Sequence, residues 1–175
     1  YDRLGYVTQK AVLFSGTVQD NIFFGQSEAA DTDETLQQAL QLSQAAEFVD
    51  RYPEKAAHPI AQLGRNVSGG QKQRLSIARA LARRPEILIF DDSFSALDYK
   101  TDATLREGLA KQLPGTTKII VAQRISTIRH ADQILVLDGG RIVGRGTHSA
   151  LLRSCETYRE IALSQLSAAE LGEEG

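Results

Sequence analysis

Four short apolar segments, separated by helical patterns, restrict the fold of this chain more than any other feature of its sequence. The segments are Leu4–Val7, Ile87–Phe90, Lys118–Ala122 and Gln133–Leu137. They have the length of strands, and apolar runs of this kind are typical of strands buried on both faces of a sheet. Helical patterns follow Ser68 and also cover Leu105–Leu113 and Ile125–His130. Strands that alternate with helices predict an α/β fold with a mainly parallel sheet.

The region from Gln9 to Arg84 has no convincing strand pattern. Asp31, with Glu34 three residues later, predicts a capped helix that continues through Leu36. We therefore predict a helical insertion within the α/β core. Near the other end, the Asp-Gly-Gly sequence at 138–140 predicts a β-hairpin turn, and helices are expected from about residue 148 onward.

Composition describes an ordinary globular protein and excludes several classes. The chain has 175 residues, a net charge of -2 and 42% hydrophobic residues, which argues against a strongly basic nucleic-acid-binding protein. No apolar run approaches the length of a membrane span, and no signal-peptide pattern opens the sequence. Its single cysteine, Cys155, is expected to be a packing residue. Since the chain has no methionine, a fragment of a longer protein is a reasonable interpretation.

The sequence Ser68-Gly69-Gly70-Gln71 places two glycines at the start of a patterned helix. Ser68 and Gln71 have the spacing of a capping box, which satisfies free backbone donors at a helix start. A helix N-terminus that is reached through bare glycine backbone can bind an anion. On these residues alone, an ordinary helix cap is an equally good interpretation.

Asp91 and Asp92 directly follow the apolar run Ile87–Phe90. In open α/β sheets, ligands bind beyond the carboxyl ends of the strands, so two acids at this position predict a site that holds Mg²⁺ directly or through water. The alternative is that both acids cap the turn that follows the strand.

Five motifs, taken in order, resemble those of ATP-binding cassette (ABC) transporters and cover nearly the whole chain. The Q-loop is matched by Gln9, the signature by the sequence at 67–71 and the Walker B motif by the strand ending in Asp91-Asp92. The D-loop is matched by the sequence at 95–98, and the switch region by the segment ending in Gln123. The resemblance implies part of a RecA-like P-loop NTPase core with the family's inserted α-helical subdomain. The implied division is 1–9, ending in the Q-loop; 10–84, the helical subdomain; 85–149, the second core segment; and 150–175, the C-terminal helices.

The resemblance also implies a role for each site residue, with ATP and Mg²⁺ as cofactors. Asp92 and Gln123 would be catalytic, while Asp91 and Gln9 would hold Mg²⁺ through water. Ser68, Gly69, Gly70 and Gln71 would act on the γ-phosphate of ATP bound mainly by a second nucleotide-binding domain. The D-loop residues, of which Ser95 and Asp98 would touch the partner's site, are Ser95, Ala96, Leu97 and Asp98.

Two positions depart from the family's usual pattern. Asp92 stands where the family usually has glutamate, and a base that is one methylene shorter can lie out of reach of its water. Gln123 stands where histidine is usual, and a neutral amide cannot carry a titratable charge. Both changes weaken the site built on this chain's own Walker B, whereas the signature is intact. The combination is similar to the degenerate-site subunit of heterodimeric, multidrug-type ABC exporters.

The phosphate-binding G-x-x-x-x-G-K-[ST] loop expected before the Q-loop does not occur in this sequence. The glycine-rich stretch at 139–146 lacks the lysine and the hydroxyl and spans a predicted hairpin, so we reject it. A core without its first strands and central helix should leave apolar surface uncovered. We therefore expect either an oligomer that covers this surface or poor order near residues 1–9.

The segment after Gln9 resembles the exporter region that meets the coupling helices of the membrane domains. Phe14, Ile22, Phe23 and Phe24 could form this docking surface, and a core role is the alternative. We expect the basic residues Lys72, Arg74 and Arg79 to form a solvated or partner-facing surface, with no nucleic acid as partner.

The leading prediction is the ATP-hydrolysing subunit of a membrane exporter at the cytoplasmic face of the cell membrane. The alternatives are a chromosome-maintenance or repair ATPase of the same superfamily and a non-hydrolysing regulatory module.

Overall fold

The computed structural model describes residues 3–26 and 32–166. The chain divides into two compact units, residues 1–121 and 122–175. In the first unit the strands are β1 (Leu4–Val7), β2 (Gly16–Thr17), β3 (Pro59–Ile60), β4 (Ile87–Asp91) and β5 (Thr117–Val121). Its helices are α1 (Val18–Ile22), α2 (Asp33–Leu42), α3 (Ala46–Val49), α4 (Gly69–Ala82) and α5 (Tyr99–Gln112).

A three-stranded parallel sheet in the order β1-β4-β5 forms the centre of the first unit. Val7 and Phe90 pair across β1 and β4, and both side chains are fully buried. They belong to one apolar core with residues of α1, α2, α4 and α5. Because both strand pairs of this sheet are parallel and helices pack against it, the predicted parallel α/β architecture is confirmed.

The opposite face of this sheet is apolar and open. Tyr6 of β1 lies beside Ile89 of β4, which lies beside Ile119 of β5. The exposed fractions of Tyr6, Ile119 and Val121 are 51%, 49% and 53%, so no described part of this unit covers the face. The expectation of uncovered apolar surface is confirmed. The expected poor order is not found at residues 3–9, since Leu4–Val7 is a regular strand, and residues 1–2 lie outside the described part.

The region 10–84 is mainly helical, as predicted, with two differences. The two-residue strands β2 and β3 pair antiparallel, which the sequence pattern did not indicate because strands this short carry no periodicity. The cap of α2 is Thr32, whose hydroxyl accepts from the Thr35 N–H. Asp31, the predicted cap, lies outside the described residues.

Helix α5 begins six residues earlier than the pattern predicts, at Tyr99. The carboxylate of Asp98 accepts a hydrogen bond from the Thr101 N–H and caps the helix there. The first turn carries few apolar side chains, so its hydrophobic periodicity is weak although its cap is strong.

The second unit contains the helices α6 (Ile125–Ile128), α7 (His148–Ser154) and α8 (Glu156–Gln165) and the strands β6 (Ile134–Asp138) and β7 (Arg141–Gly146). β6 and β7 form an antiparallel hairpin, with φ values of 52° and 75° at Gly139 and Gly140 that favour glycine. Among the described residues β6 pairs only with β7, so the hairpin predicted from the Asp-Gly-Gly sequence is confirmed.

The second unit has its own apolar core. Cys155 is buried in it, as predicted, together with Leu151 and Tyr158. The Tyr158 hydroxyl lies 2.7 Å from Nδ1 of His148, and both side chains are buried. This polar pair is therefore part of the core of the second unit.

Candidate functional site

The carboxylate pair lies where β4 ends. Asp91 is the last residue of the strand, and Asp92 has a φ of 47° in the left-handed region. Aspartate is among the few non-glycine residues enriched in that region. The Asp92 N–H donates to the Val121 carbonyl, and the Asp92 carbonyl accepts from the hydroxyl of Ser95 at 2.7 Å. These bonds hold the turn that presents both carboxylates.

The Q-loop residue contacts this pair directly. Nε2 of Gln9 donates to Oδ2 of Asp92 at 3.0 Å, across 83 residues of sequence. The parallel pairing of β1 with β4 brings the two residues together, since both follow adjacent strands. Ser93, which is fully buried, strengthens the connection by donating its hydroxyl to the Val7 carbonyl at 2.8 Å.

Tyr6 is a site residue that the sequence analysis did not identify. Its hydroxyl donates to Oδ2 of Asp91 at 2.9 Å. This hydrogen bond, together with desolvation and the negative charge of Asp91, raises the pKa of Tyr6. The alternation of side chains along a strand could have identified Tyr6. Tyr6 pairs with Ile89, and Asp91 lies two residues further along β4 on the same face.

These residues suit a magnesium ion that is shared with phosphate. The two carboxylates and Oε1 of Gln9 are hard oxygen ligands, and Gln9 uses only its nitrogen to bind Asp92. In the described ranges, no group of three or more histidine, cysteine, aspartate or glutamate side chains could hold a metal by itself. Mg²⁺ commonly binds to one or two carboxylates, with waters and substrate phosphates completing its shell. The donor set therefore fits Mg²⁺ together with a nucleotide.

The start of α4 has the predicted capping box. The Ser68 N–H donates to Oε1 of Gln71 at 2.8 Å, and the Gln71 N–H donates to the Ser68 hydroxyl oxygen at 3.2 Å. Neither bond uses the N–H groups of Gly69 and Gly70 or the hydroxyl proton of Ser68. The capping box thus fixes the helix start and leaves these donors available to a ligand.

The two glycines differ in what surrounds them. A Cβ atom added to Gly69 would meet no atom within 4 Å, and one added to Gly70 would lie 3.5 Å from the Ala96 carbonyl oxygen. Neither glycine has a positive φ. The fold therefore does not require glycine at position 69. Without a side chain, the backbone there can be approached closely by a group from outside the unit.

The D-loop residues have mixed environments. Ser95 and Ala96 are exposed, whereas Leu97 is a core residue. Both carboxylate oxygens of Asp98 accept hydrogen bonds from Thr101, which lowers the pKa of Asp98. In this structure Asp98 caps α5.

Two of the basic residues on α4 bind within the unit, so the solvated alternative of the expectation is wrong for them, while the partner-facing alternative stays a prediction. Arg74 donates to Glu47 at 2.9 Å and lies over the Phe48 ring. Arg79 donates to the backbone carbonyls of Val12 and Asn21. The guanidinium of each thus connects α4 to neighbouring segments.

The predicted docking residues divide into two classes. Ile22 and Phe23 are buried in the core, so the docking prediction is wrong for them. Phe14 and Phe24 are exposed, and their rings stack with centroids 4.2 Å apart. The guanidinium of Arg79 lies 5.4 Å from the Phe14 centroid and 5.8 Å from that of Phe24. We call Phe14, Phe24 and Arg79 the aromatic platform.

Gln123 belongs to the second unit. Its backbone carbonyl accepts a hydrogen bond from Nε2 of Gln165 at 2.8 Å, which fixes the main chain just before α6. Oε1 of the same Gln165 accepts from the Ile125 N–H at the start of that helix.

Comparison with known proteins identifies the family. The family model described as "ABC transporter" matches residues 1–95, which is more than half of the chain. The chain belongs to the ABC transporter family. It is 46% identical over 173 residues to an uncharacterized ABC transporter ATP-binding protein of Mycobacterium bovis, covering 98% of this chain and 29% of that protein. It is 44% identical over 173 residues to a probable multidrug resistance ABC transporter ATP-binding/permease protein of Bacillus subtilis, with the same coverage.

The fold of this ABC transporter chain also matches a solved structure, a bacterial Atm1-family ABC exporter with ATP bound. The TM-score is 0.89 and the identity 37%, over 95% of this chain and 29% of that one. The predicted partial RecA-like core is thereby confirmed. The chain spans somewhat more than a quarter of the length of these curated relatives.

We predict that Gly69→Ala leaves folding stability unchanged or raises it by up to about 1 kcal/mol, because alanine favours the helix and meets no neighbour. Urea unfolding measures this. Gly115→Ala is the matched control, since a Cβ there also meets no atom within 4 Å. A loss of more than about 1 kcal/mol for Gly69→Ala alone would mean that the fold itself requires the glycine.

Proposed function

We propose that this chain is part of the ATP-binding and ATP-hydrolysing subunit of an ABC-type membrane exporter. The observation that carries the proposal is the joint position of Gln9 and Asp92, which are hydrogen-bonded at the carboxyl ends of adjacent parallel strands. This is where a sheet of this type binds its ligand. The printed names of the relatives, which include "multidrug resistance" and "ATP-binding/permease", support export as the coupled process.

In this proposal the residues of the first unit position water and phosphate. Asp92 accepts the proton of the attacking water. Gln9 orients that water or the γ-phosphate after its side chain has released the Asp92 carboxylate. Mg²⁺, held through Asp91 and Gln9, would neutralise charge on the phosphates. Gln123 keeps the switch role that its motif implies, which is that of a neutral hydrogen-bond donor.

The signature acts on a second nucleotide-binding domain. Gly69 and Gly70 offer backbone N–H groups at the positive end of the α4 dipole, and Ser68 adds a hydroxyl donor. These donors would bind the γ-phosphate of ATP that is held mainly by the partner. Ser95 and Asp98 would adjoin the same interface. The departures at Asp92 and Gln123 favour a heterodimer in which the partner's site does most of the hydrolysis.

The aromatic platform supplies the surface for the membrane domains. Two exposed, stacked phenylalanine rings form an apolar patch whose contact with water is unfavourable. The guanidinium of Arg79 packs against both rings. Arg79 also bonds to Asn21, whose side chain in turn accepts from the Phe14 N–H and donates to the Phe14 carbonyl. The platform is therefore a rigid apolar patch that is connected to the signature helix.

None of the described helices is long and apolar enough to cross a bilayer. We place the subunit at the cytoplasmic face of the cell membrane, where ATP is available and the membrane domains can reach the platform. The net charge of -2 gives no electrostatic support for a nucleic-acid partner.

The first prediction from this proposed function concerns the 175-residue chain by itself. Its sequence contains no G-x-x-x-x-G-K-[ST] loop, so the amide and lysine contacts to the β- and γ-phosphates are missing. We expect calorimetric titration with Mg-ATP to show binding no tighter than about millimolar, and no measurable hydrolysis. Submicromolar binding would place the nucleotide site elsewhere on the chain.

The second prediction concerns asymmetry in the full-length transporter. Gly69→Asp would place a carboxylate against a γ-phosphate, and like charges in a poorly solvated cleft should reduce turnover by about a hundredfold or more. Asp92→Asn removes a base that is already badly placed, so it should reduce turnover much less than Gly69→Asp does. Steady-state ATPase assays with a wild-type partner compare the two.

Gly115→Asp is the control for an added charge at an equally open glycine. If Asp92→Asn abolishes turnover while Gly69→Asp spares it, the assignment of the sites is reversed. If the wild-type pair shows no nucleotide-dependent turnover, the regulatory module is the better function.

The third prediction tests the platform. A photoreactive benzoylphenylalanine in place of Phe24 should cross-link to peptides of the membrane domains, because that ring is exposed at the proposed contact. The same replacement at Leu163, whose exposed fraction is 60%, is the control and should not. Mass spectrometry identifies the cross-linked peptides, and products confined to nucleotide-binding domains would contradict the docking proposal.

A further inference from the structure

The role of Tyr6 at the carboxylate pair rests on the proposed function. Asp91 and Asp92 each accept one hydrogen bond from the β1 side: Asp91 from Tyr6 at 2.9 Å and Asp92 from Gln9 at 3.0 Å. The two donors are three residues apart on one strand and its following loop. The motif pattern explains Gln9, but it assigns nothing to Tyr6.

The position of Tyr6 is unusual for a residue whose role is only structural. Its ring lies on the open face of the sheet, and about half of its surface is exposed. Its neighbours Gly5 and Val7 are buried. Removing the hydroxyl therefore leaves the apolar core untouched, so the consequence of the hydrogen bond must be sought at the carboxylate that receives it.

We propose that Tyr6 is a positioning residue that orients the Asp91 carboxylate toward Mg²⁺. A free aspartate side chain rotates among several orientations, whereas the bond to Oδ2 selects the one directed at the β1 side. Oδ1 then remains as the acceptor for a metal-bound water. Groups that hydrogen-bond to a ligating carboxylate fix its orientation, and their loss typically weakens metal affinity by about tenfold to a hundredfold.

The effect should be smaller here because the bond is partly exposed. Water can replace an exposed donor at small cost, so we expect a change of about threefold to tenfold in metal affinity. The direction is fixed by the geometry: without the phenol, the carboxylate is less well ordered and the metal binds more weakly. Thermal stability should not change, because the ring is kept in Tyr6→Phe.

The experiment uses the full-length transporter with its partner subunit and ATP, and Mn²⁺ as the probe. Electron paramagnetic resonance measures free Mn²⁺ during a titration, so the readout is binding and does not depend on turnover. Asp91→Asn identifies the ions that belong to this chain's site, since their binding should be lost. Tyr6→Phe should weaken the same class of ions by about threefold to tenfold.

Two controls complete the design. Tyr99→Phe removes a hydroxyl from a tyrosine of the same unit that is 71% exposed, and it should leave Mn²⁺ affinity unchanged. In the Asp91→Asn background, Tyr6→Phe should have no further effect, because a residue that acts only through Asp91 has nothing left to orient.

The outcomes separate this inference from the proposed function. If Asp91→Asn removes a class of Mn²⁺ ions and Tyr6→Phe leaves that class unchanged, the positioning role is wrong and the nucleotide site stands. If Asp91→Asn removes no ions, the proposed site itself is wrong. An equal loss of Mn²⁺ affinity in Tyr99→Phe, or a fall in unfolding temperature for Tyr6→Phe, would also overturn the assignment.

Discussion

The parallel pairing of β1 with β4 is the constraint on which the candidate site depends. Gln9 and Asp92 are 83 residues apart, and only the register that places Val7 beside Phe90 brings them within hydrogen-bonding distance. Val7 and Phe90 are fully buried in this pairing, so a slip of register would cost buried apolar surface as well as the site. The same hydrophobic packing therefore stabilises the fold and positions the polar groups above it.

Helix α4 connects the other parts of the first unit. Its N-terminus offers the glycine backbone, its last turn holds the aromatic platform through Arg79, and Arg83 at its C-cap donates to the Phe24 and Gly25 carbonyls. The pKa of Arg79 is lowered by burial and by the nearby charge of Arg83. Backbone carbonyls and aromatic faces compensate for the lost hydration of this cation. Helix α4 thus joins the glycine backbone at its N-terminus to the aromatic platform at its last turn.

The left-handed conformation of Asp92 adds a physical reason for the residue at this position. The turn is held by the Val121 carbonyl and by Ser95, so the backbone at Asp92 stays at positive φ. Aspartate tolerates this conformation better than most side chains because its short polar group can bond locally. Glutamate would reach further toward a water, but it lacks that local compensation.

The sequence was sufficient to predict the fold class, the parallel strands, the capping box at Ser68 and Gln71 and the position of the acidic pair, because all of these depend on local periodicity or motif spacing. It also indicated the family, which the comparisons confirm. Packing between distant segments determines which aromatic residues are exposed, that Arg74 and Arg79 bind inside the unit, and that Tyr6 contacts Asp91. These features depend on which distant segments become neighbours in the fold. The sequence around a side chain is the same whether that side chain contacts water or, like Tyr6, a residue 85 positions away.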